Sequence, residues 1–198
     1  MNETLHIIAK RHSTRIFSDR PLEEKDLNNM LEAANQAPSA HNQQSWKFIV
    51  IKGQKKTDLA NLMSASSHSF PRASAALLRM AARSIVSAPA VIAVANSGEL
   101  IEHGSKLFQL EDDRVKDFFR TMEIQSSSAA VENLLIAATS MGISTVWLGI
   151  MFLIKDEVLE FLGEPKGEFM AIICAGYPEK ESSSPKKRPF NVLVKRLE

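Results

Sequence analysis

One cysteine is all that the 198-residue chain contains. That scarcity excludes an internal disulfide and any multi-cysteine zinc or iron–sulfur site. Cys174 lies in the apolar run 169–175, a setting for a small buried hydrophobe and not for a nucleophile. An excess of one charge is also missing: 24 Lys and Arg face 23 Asp and Glu, a formal net charge of +1. A nucleic-acid binder would show a basic surplus gathered on one face, so no nucleic-acid partner is expected. No apolar run approaches the roughly 20 residues that span a bilayer. Residues 1–6 lack the cationic and apolar parts of a signal peptide, so the expectation is a cytoplasmic chain with no membrane partner. Also absent are Gly-x-Gly-x-x-Gly, a phosphate loop ending in Gly-Lys-Ser/Thr, Gly-x-Ser-x-Gly and His-Glu-x-x-His. The five histidines, His6, His12, His41, His68 and His103, have no metal-ligand spacing, and no metal site is expected.

What is present suits one sizeable core, and the length is short for two ordinary domains. Residues 1–198 are therefore expected to form a single domain. Leu5, Ile8 and Ala9 share one face of a short first helix. Pro21, Glu23 and Glu24 mark a second helix start, Leu27, Met30, Leu31 and Ala34 give its apolar stripe, and Pro38 ends it. Residues 46–51 and 89–95 read as strands, the latter with proline at its first position, and 58–65 and 72–87 as helices. Residues 99–123 interleave charges with Leu107, Phe108, Leu110, Val115, Phe118 and Phe119, an amphipathic helix with a break expected near Asp112 and Asp113. This region is the expected variable wall of a small-molecule pocket, with at least one of its phenylalanines facing the site. Residues 126–141 carry one charge, Glu132. A helix so apolar sits centrally or at a subunit interface, and Gly142 would cap it. Strands at 143–150 and 168–175 flank a short helix at 155–162. Residues 181–185 read as a linker, and the apolar tail beyond Arg188 is too short to fold alone, so 182–198 is expected to pack as an arm on a partner subunit.

Three segments carry chemistry. Arg11-His12-Ser13-Thr14-Arg15 brackets a hydroxyl with two guanidinium forks, donors that match phosphate oxygens. Pro38-Ser39-Ala40-His41-Asn42-Gln43-Gln44-Ser45-Trp46 is dense in hydroxyls and amides that can bond the edge of a heterocycle. Gly142-Ile143-Ser144-Thr145-Val146-Trp147-Leu148-Gly149-Ile150-Met151 places a glycine after a strand, where backbone can approach a ring closely. In this combination, from about Ile8 to Arg188, the chain resembles the nitroreductase-like flavoproteins. It departs from their pattern at Ser45, where proline is usual, and at Ile150, where a second glycine is common.

The resemblance implies an α+β fold with a central, mainly antiparallel sheet flanked by helices, in an intertwined homodimer with two FMN sites at the interface. It implies that Arg11, His12, Ser13 and Arg15, with Lys186 and Arg188, reach the FMN phosphate. Pro38, Ser39, Ala40 and Asn42 would contact the isoalloxazine from the second subunit, and a backbone N–H at Leu148–Gly149 would point toward flavin N5. The family's pyrimidine-edge residue falls at Ser126, beside Gln125, and its asparagine and lysine before the second strand fall near Ala81 and Ser84, with Arg83 adjacent as a substitute donor. The implied function is an FMN-dependent oxidoreductase that takes electrons from NADH or NADPH and passes them, by ping-pong kinetics, to a planar, electron-poor small molecule such as a nitroaromatic or quinone. No catalytic side chain is expected, because the flavin carries the chemistry. Two alternatives stay open: a same-fold flavoenzyme for flavin fragmentation, dehalogenation or azoline oxidation, or a flavin-binding redox sensor with little turnover.

Overall fold

Every residue of Ala90–Asn96 is buried, and the segment carries no charge. Such a strand needs neighbours on both edges and cover on both faces. In the computed structural model, which describes residues 2–108, 113–180 and 184–197, this segment is β2 in a four-stranded sheet. The others are β1 (Trp46–Ile51), β3 (Ser144–Trp147) and β4 (Glu168–Gly176), in the order β1-β2-β4-β3. All three pairings are antiparallel. The period-2 alternation of β2 divides the interior in two. Val91, Ala93 and Ala95 meet Leu59 and Met63 of α3 (Gln54–Ser66), Leu78 and Ile85 of α4 (Arg72–Ser87) and Val158 of α7 (Lys155–Leu162). Ile92 and Val94 meet Leu27 and Met30 of α2 (Glu24–Asn35) and Leu134 of α6 (Asp113–Ser140). Each such side chain contributes about 1.5–3 kcal/mol by leaving water.

Several boundaries differ from the expected ones. The helix expected at 126–141 is the second half of α6, a continuous helix of 28 residues. Its sequence holds neither proline nor glycine to break it, and its hydroxyls are satisfied within the helix: Ser126, Ser128 and Thr139 donate to the carbonyls of Met122, Ile124 and Leu135. Residues 109–112, where the break was expected, lie outside the described residues apart from the helix start at Asp113. Gly142 ends α6 in the left-handed region at φ +73°, and the Ile143 N–H reaches back to Ala138 O at 2.9 Å in a Schellman closure. The strand expected at 143–150 pairs only over Ser144–Trp147 before turning into the 3-10 segment Gly149–Ile154. The helix expected from residue 58 begins at Gln54, after Gly53 at φ +55°.

Two apolar segments find no cover in a single chain. The first is α1 (Glu3–Lys10), which has no buried residue although Leu5 and Ile8 form its stripe. The second is the tail, where Phe190 is 71% exposed and Leu197 83%. Of the expected linker, residues 181–183 lie outside the described residues. Among the described residues, no helix is long and apolar enough to cross a membrane.

Candidate functional site

The extended segment 13–17 runs along the free edge of β3. Ser13 forms a parallel bridge with Thr145, the Thr14 N–H donates to Thr145 O at 2.9 Å, and Phe17 bridges Pro178. This edge pairing carries Arg15 to the place where β3 gives way to Leu148 and Gly149, opposite one face of α4. A cleft of about 310 Å³ results, lined by Arg15, Met80, Arg83, Trp147, Leu148 and Gly149. A side-chain carbon built on Gly149 would meet nothing within 4 Å, so the backbone there fronts open space. Leu77 and Met80 expose apolar surface to the cleft. Neither Arg15 nor Arg83 makes an ion pair among the described residues. The cleft thus combines an apolar wall for a flat ring with two guanidinium groups for anionic or carbonyl edges.

Arg11 and His12 line a second cleft of about 400 Å³ with Lys10, Gly142, Ser144 and Ser184. The basic cluster is therefore divided: Arg11 and His12 face one cleft, Arg15 the other, and Ser13 joins the strand edge between them. Lys186 and Arg188 are exposed on the tail, beyond Ser184.

The loop after α2 is held by its own polar side chains. His41, Asn42 and Gln44 all adopt positive φ, between 51° and 54°, each at a cost of order 1–3 kcal/mol. The Gln44 N–H donates to Ser39 Oγ at 3.2 Å, Gln44 Nε2 donates to Asn42 Oδ1 at 3.2 Å, and the Ala40 N–H donates to Ser126 Oγ at 3.1 Å. The last bond seats Pro38, Ser39, Ala40 and Asn42 on the α6 side of the sheet, whereas the Arg15 cleft lies on the α4 side. One chain does not bring these two groups together. Trp46 is core: it is buried, and its indole N–H donates to Asn35 Oδ1 at 3.1 Å. Cys174 is fully buried, and desolvation pushes its thiol well above the usual range, so it stays protonated.

At the α5 (Glu99–Phe108) and α6 contact, Phe119 is fully buried, while Phe108 and Phe118 are about half exposed with ring centroids 5.2 and 5.0 Å from it. His41 stands 6.5 Å from Phe119 and 6.2 Å from His103. Of the residues lining the Arg15 cleft, Leu77 and Met80 escaped the sequence reading. The signal for them was present, because Leu77, Met80 and Val86 fall outside the buried stripe of α4, among Arg72, Arg79 and Arg83.

A sequence profile described as "Nitroreductase family" matches residues 8–177, and the chain belongs to that family. A protein of Archaeoglobus fulgidus named "Putative NADH dehydrogenase/NAD(P)H nitroreductase" is 30% identical over 186 residues, covering 91% of this chain and 88% of its own. The crystal structure of a "putative nitroreductase" from Desulfovibrio desulfuricans in complex with FMN is similar at a TM-score of 0.74, with 25% identity, covering 100% of this chain and 98% of that one. The NADPH:FMN oxidoreductase of Vibrio harveyi, complexed with NAD+, shares the fold at a TM-score of 0.77, with 18% identity, over 100% of this chain and 78% of its own.

Proposed function

We propose that the chain is an FMN-dependent NAD(P)H oxidoreductase that reduces planar, electron-poor acceptors of the nitroaromatic or quinone type, working as a cytoplasmic homodimer. The Arg15 cleft carries this reading. It offers two guanidinium groups without acidic partners among the described residues, apolar side chains and an unobstructed glycine backbone in one place. That donor set fits a flavin: the ring is flat and apolar with carbonyl edges, and its phosphate carries close to two negative charges near neutrality.

In this reading Arg15 and Arg83 bond the carbonyl edge of the ring, while Leu148 and Gly149 present backbone to it. Arg11, His12 and Ser13, with Lys186 and Arg188 of the tail, hold the phosphate. Pro38, Ser39, Ala40 and Asn42 come from the second chain, because their own chain keeps them on the other side of the sheet. FMN supplies the redox chemistry, taking hydride from the nicotinamide and passing electrons to the acceptor. The protein orients the ring, excludes water from one face and limits what can stack there. With no dinucleotide fingerprint in the sequence, donor and acceptor use the same cleft in turn.

The dimer also answers a packing question. Leu5 and Ile8 of α1 and the apolar tail need cover that a second copy supplies.

Purified protein is expected to be yellow, and anaerobic titration with NADH or NADPH should bleach it. Initial velocities against donor and a quinone should then give parallel double-reciprocal lines. Intersecting lines would sink the shared cleft, and a colourless protein that gains no colour from added FMN would sink the flavin assignment itself.

A further inference from the structure

One turn of α6 reaches three other elements. The Ser126 hydroxyl accepts from the Ala40 N–H, the Ser127 hydroxyl donates to the Asn96 side chain at the end of β2, and Glu123 Oε1 accepts from the Leu100 N–H of α5 at 2.9 Å. Glu123 is 1% exposed, unusual for a carboxylate. Its second oxygen, Oε2, has no hydrogen-bond partner, nor has the buried Ser45 Oγ, which lies against the carboxyl. Ser45 is the residue that stands in place of the family's usual proline, at the exit of the loop with three left-handed residues.

Among the described residues, no cation pairs with Glu123. Arg120, one turn earlier on α6, is paired with Glu168 of β4. Glu168 and Glu99 of α5 add repulsion, β1 and β2 present only the neutral Ser45 and Asn96, and Lys155 and Lys166 line the open side of the adjoining 240 Å³ cleft. Burial, the first cause, and these two carboxylates raise the pKa of Glu123 above its ordinary value, while the bond from Leu100 and the nearby Ser45 hydroxyl oppose the rise.

We propose that Glu123 is a positioning residue that works as an uncharged acid: Oε1 holds the first turn of α5, Oε2–H lies buried against Ser45 at the exit of the loop, and the two walls beside the acceptor position are thereby packed on each other. This inference rests on the oxidoreductase reading for its link to the acceptor, because α5 carries His103 and Phe108 beside His41 of the loop. A proton on Oε2 removes the buried charge and makes the carboxyl a donor in its own right. Ionisation removes that donor and leaves a buried charge without a counter-ion. The folded chain then binds one more proton here than the unfolded chain does, so stability is full at low pH and falls as pH rises through the folded-state pKa.

The test compares the parent, Glu123→Gln, Glu123→Ala and Ser45→Ala between about pH 5 and 9, the range in which buried glutamates titrate. The first readout is hydrogen exchange of the Leu100–Gly104 amides in FMN-loaded protein, corrected for intrinsic rates. Parent protection should fall as pH rises, by up to about tenfold per pH unit for one linked proton. Glu123→Gln, which keeps an uncharged donor–acceptor pair, should hold the parent's low-pH protection throughout, and Glu123→Ala should lack it at every pH. Ser45→Ala removes a hydroxyl that favours the carboxylate and should raise the pH at which protection is lost. The second readout is KM for a naphthoquinone at saturating NADH, which should rise with pH in the parent and stay level in Glu123→Gln. Superimposable pH profiles for parent and Glu123→Gln would overturn the proposal, as would loss of protection in Glu123→Gln equal to that in Glu123→Ala. If no variant reduces the quinone while the exchange results hold, the oxidoreductase reading fails and the positioning role stands.

Discussion

At the scale of single residues, Arg15 and Gly149 bear most directly on the proposed cofactor. A charge-assisted hydrogen bond contributes about 1.5–3 kcal/mol, so Arg15→Ala should weaken FMN affinity roughly 10- to 150-fold, as measured by fluorescence titration of the apoprotein. Gly149→Val separates folding from binding. Gly149 has no left-handed φ, and a side chain there would enter open space. The melting temperature of the apoprotein should therefore hold within the small change expected of an exposed substitution, about 0.5 kcal/mol, while FMN binding is blocked. Both residues were legible as motif positions. Arg83 was legible only as a neighbour of the motif positions Ala81 and Ser84. The fold makes it a lining residue, because 67 intervening residues return α4 to the side of the segment that holds Arg15.

At the scale of elements, α5 and α6 separate packing from access. Phe119 is fully buried, and Gly104 of α5 faces it so closely that any side chain there would overlap the ring. Phe119→Ala should cost about 3–5 kcal/mol in denaturant unfolding, as large-to-small core changes do. Phe118→Ala, half exposed, should cost far less and change the ratio of kcat/KM between a nitroaromatic and a quinone with FMN content intact. An unchanged ratio would remove Phe118 from the acceptor wall. The sequence suggested two helices where α6 is one, because the density of charge falls sharply after Glu123. Charge density reports what surrounds a helix, not where it ends. The first half of α6 is covered mainly by α5, and the second half lies between α2 and the sheet.

At the scale of the whole molecule, the uncovered apolar surface is the main physical problem. Exposed Phe190, Val192, Leu193 and Leu197 on the tail and Leu5 and Ile8 on α1 would be poor surface for a lasting monomer. Removing residues 190–198 should raise the dimer dissociation constant in sedimentation and, with it, lower FMN retention, since Lys186 and Arg188 lose their anchor. A truncated chain that remains dimeric and fully loaded would show that α1 and other surfaces suffice.

The sequence by itself determined the element types, the apolar stripe of α2 and the basic and hydroxyl-rich motifs. These depend on local periodicity and residue chemistry, which are written along the chain. Tertiary structure alone decided that Arg11 and Arg15 face different clefts, that the 38–42 loop and the Arg15 cleft lie on opposite sides of the sheet, and that Glu123 is buried against Ser45 and Leu100. Those facts follow from strand order and from which helix covers which face. Contacts between residues 78 positions apart, as for Ser45 and Glu123, leave no periodic trace in a sequence. They arise only when the sheet brings distant segments to one edge.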